Sequence, residues 1–440
     1  MAGGNWSAQN KVRPGAYINF KSVPAPLTQV GSRGIMTMPV PMSWGPAGEV
    51  IELYSTDLVD GKSLEKIGYV ATDAESLIFR EALKNCYKAL IYRIDAGGTK
   101  ATATLGGLTA VAKYPGVVGN KISIVIIANG DKFDVVTLFN GVEKDRQTVA
   151  TAQELEDNAW VDWSGEGALA ANAGVPLSTG TNGTVLDENY TDYFNVIQNH
   201  VWNTMAVPTT EATIPPLVLN FIKMMRDDMG KKVQAVVYNY PAADYEGIIS
   251  VSQGYTTATE TVSPATFVAY VAGMTAGAAV NQSNTYHVIT GATGIVNEIA
   301  EQDIAEKLQG GELVVSRRRD GVIVIEQDIN TLHNFTAEKG YIFSKNRVIR
   351  CLDEIANTIT LTFQKNYLGK VDNDETGRNI FKSDIIAFIN SLVSLGAVTD
   401  FNGVDDVMVS AGDSIDSIVV DLGIKPVDSM EKLYMTVLVG

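Results

Sequence analysis

The sequence ends on the stretch AGDSIDSIVVDLGIKPVDSMEKLYMTVLVG, residues 411–440, which carries two strand patterns. In the first, Ile418, Val420 and Leu422 point to one face of the strand and the residues between them to the other. Residues 433–439 alternate in the same way. A period of two in residues of this kind predicts a pleated strand in each place. The second strand is apolar on both faces, and the spacer before it, residues 423–431, contains Pro426 and little to pack.

A strand that is apolar on both faces has two interpretations. It is either the last strand of the chain's own sheet or an arm that completes a neighbour's sheet by strand addition. The front of the chain has a matching piece, because Ala16, Ile18 and Phe20 share one face of a short predicted strand. The stretch behind it is kept extended by Pro24, Pro26, Pro39, Pro41 and Pro46. The second interpretation therefore predicts an arm at each end.

Composition restricts the class of protein. A chain of 440 residues is expected to hold about two to four domains, and its apolar content of 45% and charged content of 19% are typical of globular proteins. The net charge of -16 argues against a nucleic-acid-binding protein, which usually carries a basic face. The basic run at residues 317–319 is closed by Asp320, and we interpret it as a strand end or a surface contact.

The cysteines and the apolar runs predict a cytosolic origin. Cys86 and Cys351 lie far apart on helical patterns, as expected for buried free thiols in a reducing compartment. We find no signal-peptide pattern at the start of the sequence. The longest run without Lys, Arg, Asp or Glu has its apolar part at residues 266–280, which is too short for a membrane span. We therefore expect no membrane insertion.

The texture of the sequence changes twice along the chain. A capping-box spacing at Thr72 predicts a helix with apolar residues from Leu77 to Leu90 on one side, after short strands and turns over residues 50–69. Residues 89–94 are then expected to form a strand that ends before Gly97. Short strands at residues 102–105, 122–128, 133–139 and 143–149 then predict a small β-sandwich. The sequence becomes rich in helical patterns again near Gly183. We therefore expect residues 99–183 to form a semi-independent domain, so that a chain lacking them still folds.

From Tyr190 onward, helices alternate with strands. Ser263 is predicted to cap a helix that runs to Val280, and Asn297 a helix that ends at Gly310. Paired strands are expected at residues 312–316 and 321–328, and amphipathic helices at residues 344–368, the longest helical pattern, and 378–395. This alternation predicts an α/β sheet with helices on its faces.

The motifs that carry chemistry are incomplete. Residues 97–100 and 116–121 lack the spacing of a phosphate loop, and the calcium-loop-like start at Asp372 lacks the carboxylate at position twelve. His200, His287 and His333 have no partners at metal-ligand spacing, and no nucleophile elbow is present. We therefore predict no catalytic residue, no metal ligand and no cofactor, and a protein that is not an enzyme.

Four stretches spread over the chain resemble the tail sheath proteins of contractile bacteriophages and phage-tail-like bacteriocins, in particular those of defective prophages and bacteriocins from Gram-positive bacteria. They are RGIMTMPVPMSWGP at residues 33–46, GVIVIEQDINTL at residues 321–332, NRVIRCLDEI at residues 346–355 with YLGK at residues 367–370, and IKPVDSMEKLYMTV at residues 424–437. Their order makes the resemblance specific, and residues 97–183 are where such sheaths vary most.

The resemblance implies a multidomain α/β fold. An α/β core carries an inserted outer β-sandwich, and extended strand arms at both ends reach neighbouring subunits. On this pattern the expected segments are an N-terminal arm (1–24), the N-terminal part of the core (25–96), the inserted β-sandwich (97–183), a central α/β domain (184–340), a C-terminal sheath domain (341–422) and a C-terminal arm (423–440).

The resemblance also implies a function. The subunit would polymerise helically, as stacked hexameric rings around an inner tail tube protein, in a metastable extended state. It would then contract to drive the tube through a bacterial cell envelope. Its partners would be copies of itself, the tube, and the baseplate and tail terminator proteins. It would assemble in the cytoplasm of the producing bacterium and end in a virion tail or a released tail-like particle.

Two sets of residues are predicted to matter for such an assembly. The arms are expected to contact neighbouring subunits through Tyr17, Ile18, Phe20, Ile418, Val420, Leu433, Tyr434, Met435, Val437 and Val439. A cationic edge in an acidic chain is a candidate for contact with the tube, and it consists of Lys365, Lys370, Arg378 and Lys382.

Two rival functions come from other classes. A secreted glycan-binding or adhesive β-sandwich protein would account for residues 99–183 but needs a secretion route. A cytosolic α/β hydrolase would account for the alternating helices and strands, with both ends as ordinary strands. An electron micrograph of the purified protein separates the three.

Overall fold

The computed structural model describes residues 2–4, 15–17 and 33–439, with side chains from residue 33 onward. The predicted arm residues Ile18 and Phe20 lie outside the described residues. The chain divides into two compact units. The large unit comprises Gly31–Asn357 and Pro426–Gly440, and the small unit comprises Met1–Val30 and Thr358–Lys425.

The elements are numbered along the chain. The strands are β1 (Ala2–Gly4), β2 (Gly15–Tyr17), β3 (Ile35–Val40), β4 (Val50–Tyr54), β5 (Lys88–Arg93), β6 (Lys100–Leu105), β7 (Leu108–Pro115), β8 (Ile122–Asn129), β9 (Lys132–Phe139), β10 (Val142–Val149), β11 (Val161–Ser164), β12 (Asn172–Pro176), β13 (Thr204–Val207), β14 (Gln234–Tyr238), β15 (Ile248–Val251), β16 (Gly254–Thr256), β17 (Thr261–Val262), β18 (Gly294–Val296), β19 (Glu312–Leu313), β20 (Val315–Arg317), β21 (Ile323–Ile325), β22 (Val398–Thr399), β23 (Val407–Ala411), β24 (Ile418–Leu422) and β25 (Lys425–Pro426). The α-helices are α1 (Ser55–Val59), α2 (Ser63–Ile67), α3 (Leu77–Leu83), α4 (Asp187–Ile197), α5 (Ile214–Lys223), α6 (Pro264–Gly277), α7 (Glu301–Gln309), α8 (Asn346–Thr362) and α9 (Glu375–Ser394).

A seven-stranded sheet forms the centre of the large unit, in the order β19-β15-β14-β13-β3-β5-β4. Adjacent strands of this sheet are parallel, except that β4 runs antiparallel to β5 at one edge. Strands such as β15 are buried along their whole length. Continuous apolar runs of this kind are what a parallel sheet covered on both faces requires.

Alternate side chains of this sheet enter two separate cores. Val236 belongs to the core on one face, whereas its neighbours Ala235 and Val237 belong to the core on the other. Helix α6 contributes Phe267 and Val271 to the first core, and α4 and α5 cover the second face. The predicted α/β sheet with helices on its faces is therefore confirmed.

Helix α6 begins as the sequence predicts, because Ser263 Oγ accepts a hydrogen bond from the backbone N–H of Thr266 at 3.2 Å. It lies close to α3 and the turn that follows it. A Cβ atom on Gly273 would lie 2.0 Å from the carbonyl oxygen of Ala82, and one on Gly277 would lie 1.7 Å from that of Asn85. Glycine is therefore required at both positions for the helix to approach its neighbour.

A β-sandwich follows β5 in the large unit. One sheet has the order β10-β9-β8-β12 and the other β11-β7-β6, and all pairs are antiparallel. Burial alternates residue by residue along β6, as expected for a strand with one face on a core. The four strands predicted in this region correspond to β6, β8, β9 and β10. A mixed multidomain fold with a β-sandwich is thus confirmed, while the six predicted segment boundaries stay a prediction.

The sandwich shares its core with the rest of the large unit. Trp44, fully buried before β4, stacks on Trp160 at 5.5 Å and meets the edge of Tyr114 at 5.2 Å. At the entry to the sandwich, the buried Arg93 pairs with Asp95 at 2.7 Å and donates to the carbonyl of Pro115, also at 2.7 Å. Removing residues 99–183 would expose these groups to solvent. We therefore expect the deletion to destabilise the large unit, in contrast to the expectation from the sequence that a chain lacking these residues still folds.

Replacing Trp44 with alanine is expected to destabilise the large unit by about 3–5 kcal/mol, because the change leaves a cavity between sandwich and sheet. Urea unfolding followed by circular dichroism measures the loss. The matched control is Trp163→Ala, at a partly buried position on β11, which should cost clearly less. Equal losses in the two variants would contradict a shared core at Trp44.

The small unit is built around α9, the 20-residue helix whose N-terminus is capped by Asp374. Asp374 Oδ1 accepts from the N–H of Gly377 at 2.7 Å. Strands β23 and β24 form an antiparallel hairpin from Val407 to Leu422, and β1 pairs in parallel with β2. The helix predicted over residues 344–368 is present as the 17-residue α8, which continues directly into a π-helical turn at residues 363–367.

Three local predictions are wrong. The helix expected over residues 77–90 ends at Leu83, because the N–H groups of Tyr87 and Lys88 bond to Gly34 and the chain enters β5. Asn297 does not cap α7, since its side chain donates to the carbonyl of Ser252 and Ala300 takes the cap position. Residues 50–69 contain the short helices α1 and α2 besides a strand.

Candidate functional site

The C-terminal arm, defined here as residues 433–439, contains no helix or strand. The exposed fractions of its side chains are high, with 84% for Leu433, 67% for Val437 and 92% for Val439. Tyr434, Met435 and Leu438 are exposed as well. The interpretation of these residues as the last strand of the chain's own sheet is therefore wrong for the isolated chain. An exposed apolar run of this kind is typical of a segment that binds another protein chain.

A buried ion pair holds the base of the arm. The Glu431 carboxylate accepts hydrogen bonds from Thr285 Oγ1 at 2.8 Å and from Gln327 Nε2 at 2.6 Å, and it pairs with Lys345 Nζ. The exposed fraction of the side chain is 11% for Glu431 and 4% for Lys345. We call these four residues the Glu431 anchor. Both carboxylate oxygens have partners, as a buried charge requires.

The protonation of the anchor follows from its surroundings. Burial alone would raise the pKa of Glu431, but the hydrogen bonds from Lys345, Gln327 and Thr285 outweigh it and place the pKa below the ordinary 4.5. Burial would lower the pKa of Lys345, and the bond to Glu431 raises it instead. Both groups are charged at neutral pH, and the stability that Glu431 contributes is lost as the pH falls through its lowered pKa.

Behind the anchor lies a second buried ion pair. Asp328 Oδ2 accepts from Arg350 Nη2 at 2.7 Å and from the backbone N–H of Asn284 at 3.0 Å, while Oδ1 accepts from Asn346 Nδ2 at 3.0 Å. The backbone N–H of Asp328 donates to Thr285 Oγ1 at 3.0 Å. Thr285 thus joins the Glu431 anchor to a set of fully buried charges.

Sequence reasoning missed the anchor. The sequence places Glu431 in a spacer with little to pack, and its partners are distant in the chain. One signal is available, because Glu431 is a carboxylate two positions before the apolar run that begins at Leu433. That signal names no partner, so only the fold identifies Lys345.

A cavity of about 600 Å³ adjoins the anchor in the large unit. Its apolar lining comes from Leu308 of α7, Ile329, Leu332, Phe335 and Tyr341, and Glu431 and Lys432 form part of its rim. Helix α7 has no buried residue. The cavity lies between α7 and the base of the C-terminal arm.

The other predicted arm contacts lie in the small unit. Ile418 and Val420 share one face of β24, and together with Phe363 and Phe381 they line a cavity of about 520 Å³. Within the described residues, β23 and β24 pair only with each other, so each keeps an open outer edge. Tyr17 ends β2 and is described at the backbone only.

The predicted cationic edge also lies in the small unit. Arg378 Nη1 donates to Asn373 Oδ1 at 2.9 Å, Lys382 Nζ donates to the carbonyl of Val404 at 3.3 Å, and Lys370 donates to the carbonyl of Lys365. None of the four cations forms an ion pair with a carboxylate among the described residues. Their charges are therefore free to meet an anionic surface.

The described part of the chain shows no group of three or more His, Cys, Asp or Glu side chains that could hold a metal ion. His287 faces the Tyr270 hydroxyl at 3.1 Å, and His333 Nδ1 lies 2.8 Å from the carbonyl oxygen of Thr331. No helix within residues 33–439 is long and apolar enough to cross a membrane. The expected absence of catalysis and cofactors stays a prediction.

Models of phage tail sheath domains match four consecutive parts of the chain. The Gp18 domain III N-terminal region matches residues 33–94, the beta-sandwich domain residues 96–182, the central domain residues 183–331 and the C-terminal domain residues 338–440. Together these matches span almost all the residues described with side chains.

Individual proteins agree with the domain matches. The phage-like element PBSX protein XkdK of Bacillus subtilis is 33% identical, over 99% of each chain. The crystal structure of the sheath tail protein from Desulfitobacterium hafniense is 42% identical, with a TM-score of 0.84 over 96% of this chain and 99% of that one. The contracted helical sheath of the anti-feeding prophage is 13% identical, with a TM-score of 0.59 over 97% and 99%, and shares the fold alone.

Proposed function

This chain belongs to the phage tail sheath protein family, and from that premise we propose that it is the repeating subunit of a contractile sheath. The subunits polymerise helically around an inner tube in a metastable extended state. Contraction then drives the tube through a bacterial cell envelope. The observation that carries the proposal is the exposed apolar C-terminal arm, which has no strand partner within the described residues of its own chain.

Strand addition would give the arm its partner. The hairpin β23–β24 has open edges, and a two-stranded hairpin gains stability from a third strand. An arm from a neighbouring subunit could extend the hairpin and cover the cavity beside Ile418 and Val420. The alternating face of Leu433, Met435, Val437 and Val439 would then be buried. Each subunit would donate one arm and receive another, which links the polymer without an active site.

The shared fold supports the contraction step. The anti-feeding prophage protein is described as a helical sheath in a contracted state, so this fold is compatible with a helical polymer of that kind. Contraction needs no catalysis when many subunits pass from a metastable packing to a more stable one. We therefore propose a structural role and no enzymatic activity.

The remaining parts of the proposal concern partners and place. We propose stacked hexameric rings, with Lys365, Lys370, Arg378 and Lys382 facing an inner tube and with baseplate and terminator proteins at the two ends. The free cations of the small unit support the tube contact. Assembly would take place in the cytoplasm of the producing bacterium, before incorporation into a virion tail or a tail-like particle.

Replacing Val437 with aspartate is expected to raise the protein concentration needed for polymers by at least about tenfold, because the charge would be buried on the apolar face of the added strand. The monomer should melt as before, since Val437 is 67% exposed there. Sedimentation and negative-stain electron microscopy measure polymer formation.

The matched control is Thr436→Asp, which puts the same charge on the other strand face. It should have the smaller effect, because Thr436 is the polar position of that face. If both variants polymerise like the wild type, strand addition by this arm is excluded.

A further inference from the structure

We propose that Glu431 is the positioning residue at which tension on the C-terminal arm enters the large unit, and that residues 275–285 join this point to Arg33, two residues before β3. The inference rests on the proposed function, because tension arises only when a neighbour holds the arm. Its geometry is a property of the single subunit and can be tested without a polymer.

The anchor lies between exposed residues. Met430 before it and Leu433 after it are exposed, whereas the Glu431 side chain is only 11% exposed. The eight residues 432–439 beyond the anchor can span at most about 26–29 Å. If the segment were free from residue 427 onward, the span would grow to about 43–47 Å. The anchor therefore sets how far the arm reaches.

The three partners of Glu431 come from different segments of the large unit. Thr285 follows α6, Gln327 follows β21, and Lys345 precedes α8. A pull on Glu431 is thus shared among three segments of the large unit. Because the backbone N–H of Asp328 donates to the hydroxyl that holds Glu431, the pull also reaches the buried Asp328–Arg350 pair.

Glu431 is connected to Arg33, which lies two residues before β3, through residues 275–285. Arg33 donates from Nε to the carbonyl of Ala278 at 3.1 Å and from Nη2 to that of Thr275 at 3.5 Å. Arg350 Nη2 donates to the carbonyl of Gln282 at 2.6 Å. Residues 275–285 are therefore held by Arg33 at one end, by Arg350 in the middle and by Glu431 at the other end.

Part of this segment is buried and part is exposed. Thr275 and Asn284 are fully buried, and Ala278 and Val280 nearly so, whereas Ala279, Asn281 and Gln282 are exposed. Close-packed interiors transmit displacement instead of absorbing it. Through its buried residues, the segment can therefore pass a shift at Glu431 on to Arg33.

The test uses the full chain and begins with the monomer. In Glu431→Gln the side chain keeps its shape and loses its charge, so we expect trypsin to cut after Lys432 about tenfold or more faster than in the wild type, since hydrogen bonds to a charged group are lost. Hydrogen exchange should accelerate over residues 427–432 and also over residues 33–35. The matched control is Glu143→Gln, the same change in the exposed pair with Arg146, which should alter neither region.

A second variant covers the case in which Glu431→Gln does not fold. Thr285→Val keeps the Glu431–Lys345 pair and removes the hydroxyl that connects it to Asp328. Exchange over residues 33–35 should then accelerate more than exchange over residues 427–432. Unchanged cleavage in Glu431→Gln would overturn the anchor, and unchanged exchange over residues 33–35 in both variants would overturn the coupling.

The polymer separates this inference from the proposed function. If the wild type builds sheaths, Glu431→Gln should also build them, because its arm is intact, but with a wider spread of helical rise measured by electron microscopy. An unchanged spread would overturn the transmission of tension. A wild type that never polymerises would defeat the proposed function, while the cleavage and exchange results would still decide the anchor and its coupling.

Discussion

Removing residues 433–440 is expected to abolish polymers while the unfolding temperature of the monomer stays within about 2 °C of the wild type. When the arm is missing, no strand is added to the β23–β24 hairpin of the neighbouring subunit, and the edge of that hairpin stays open. The monomer loses little, because the arm side chains are already exposed in the isolated chain. Destabilisation at the 1 kcal/mol level shifts a melting temperature by only a few degrees in a large domain.

The position of the cut matters. A cut before residue 429 would also remove Glu431 and leave Lys345, whose side chain is 4% exposed, as an unpaired buried charge. Breaking a buried pair in this way costs about 3–5 kcal/mol. The two truncations together form the experiment, because polymers should be absent from both and the monomer should be destabilised only in the shorter chain.

Thermal melting and electron microscopy on the same samples measure the two effects. A second control keeps the chain length and replaces residues 433–439 with a Gly-Ser sequence, which removes the apolar faces alone. Tubes built by the chain that lacks residues 433–440 would refute strand addition by the C-terminal arm. A core that melts much earlier after the same cut would show that the arm packs within its own subunit.

Replacing Asp328 with alanine is expected to destabilise the large unit by about 3–5 kcal/mol. The side chain of Arg350 is fully buried, and the change leaves it without the carboxylate that neutralises it. Asn346 Nδ2 and the backbone N–H of Asn284 also lose their acceptor. Buried donors without a partner add the cost of their desolvation to that of the charge.

Urea unfolding followed by tryptophan fluorescence measures this loss, since Trp44, Trp160 and Trp202 are buried in the large unit. The control is Asp320→Ala, which removes the partner of Arg318 in an exposed pair and should leave the free energy of unfolding almost unchanged. The double variant Asp328→Ala with Arg350→Met should recover part of the stability, because it removes the unpaired charge. Equal losses in Asp328→Ala and Asp320→Ala would contradict the argument.

Family membership also bears on the rival functions. The domain models span the sandwich and the α/β parts alike, so residues 99–183 need no separate adhesive role. The relatives named above are tail sheath or phage-like element proteins. Neither rival is therefore required to account for any segment of the chain.

Local patterns in the sequence determined much of the architecture. The alternation at residues 122–128 and 133–139 predicted two sandwich strands, because side chains of one β-strand point alternately to its two faces. The Ser263 cap and the proline after it predicted the start of α6 for an equally local reason. The apolar faces of residues 433–439 predicted an element that must be covered, although they did not say by what.

Tertiary structure decided everything that depends on a distant partner. The strand expected at residues 89–94 is present as β5, but the helix before it ends at Leu83, several residues earlier than its apolar pattern predicts, because the chain is already bonded to Gly34 at Tyr87 and Lys88. Trp44 joins the sandwich to the sheet by stacking on Trp160, more than one hundred positions away in the chain. Glu431 became an anchor only when Thr285, Gln327 and Lys345 were brought around it. The physical reason is that burial and charge pairing are properties of three-dimensional neighbours, which a one-dimensional period cannot specify.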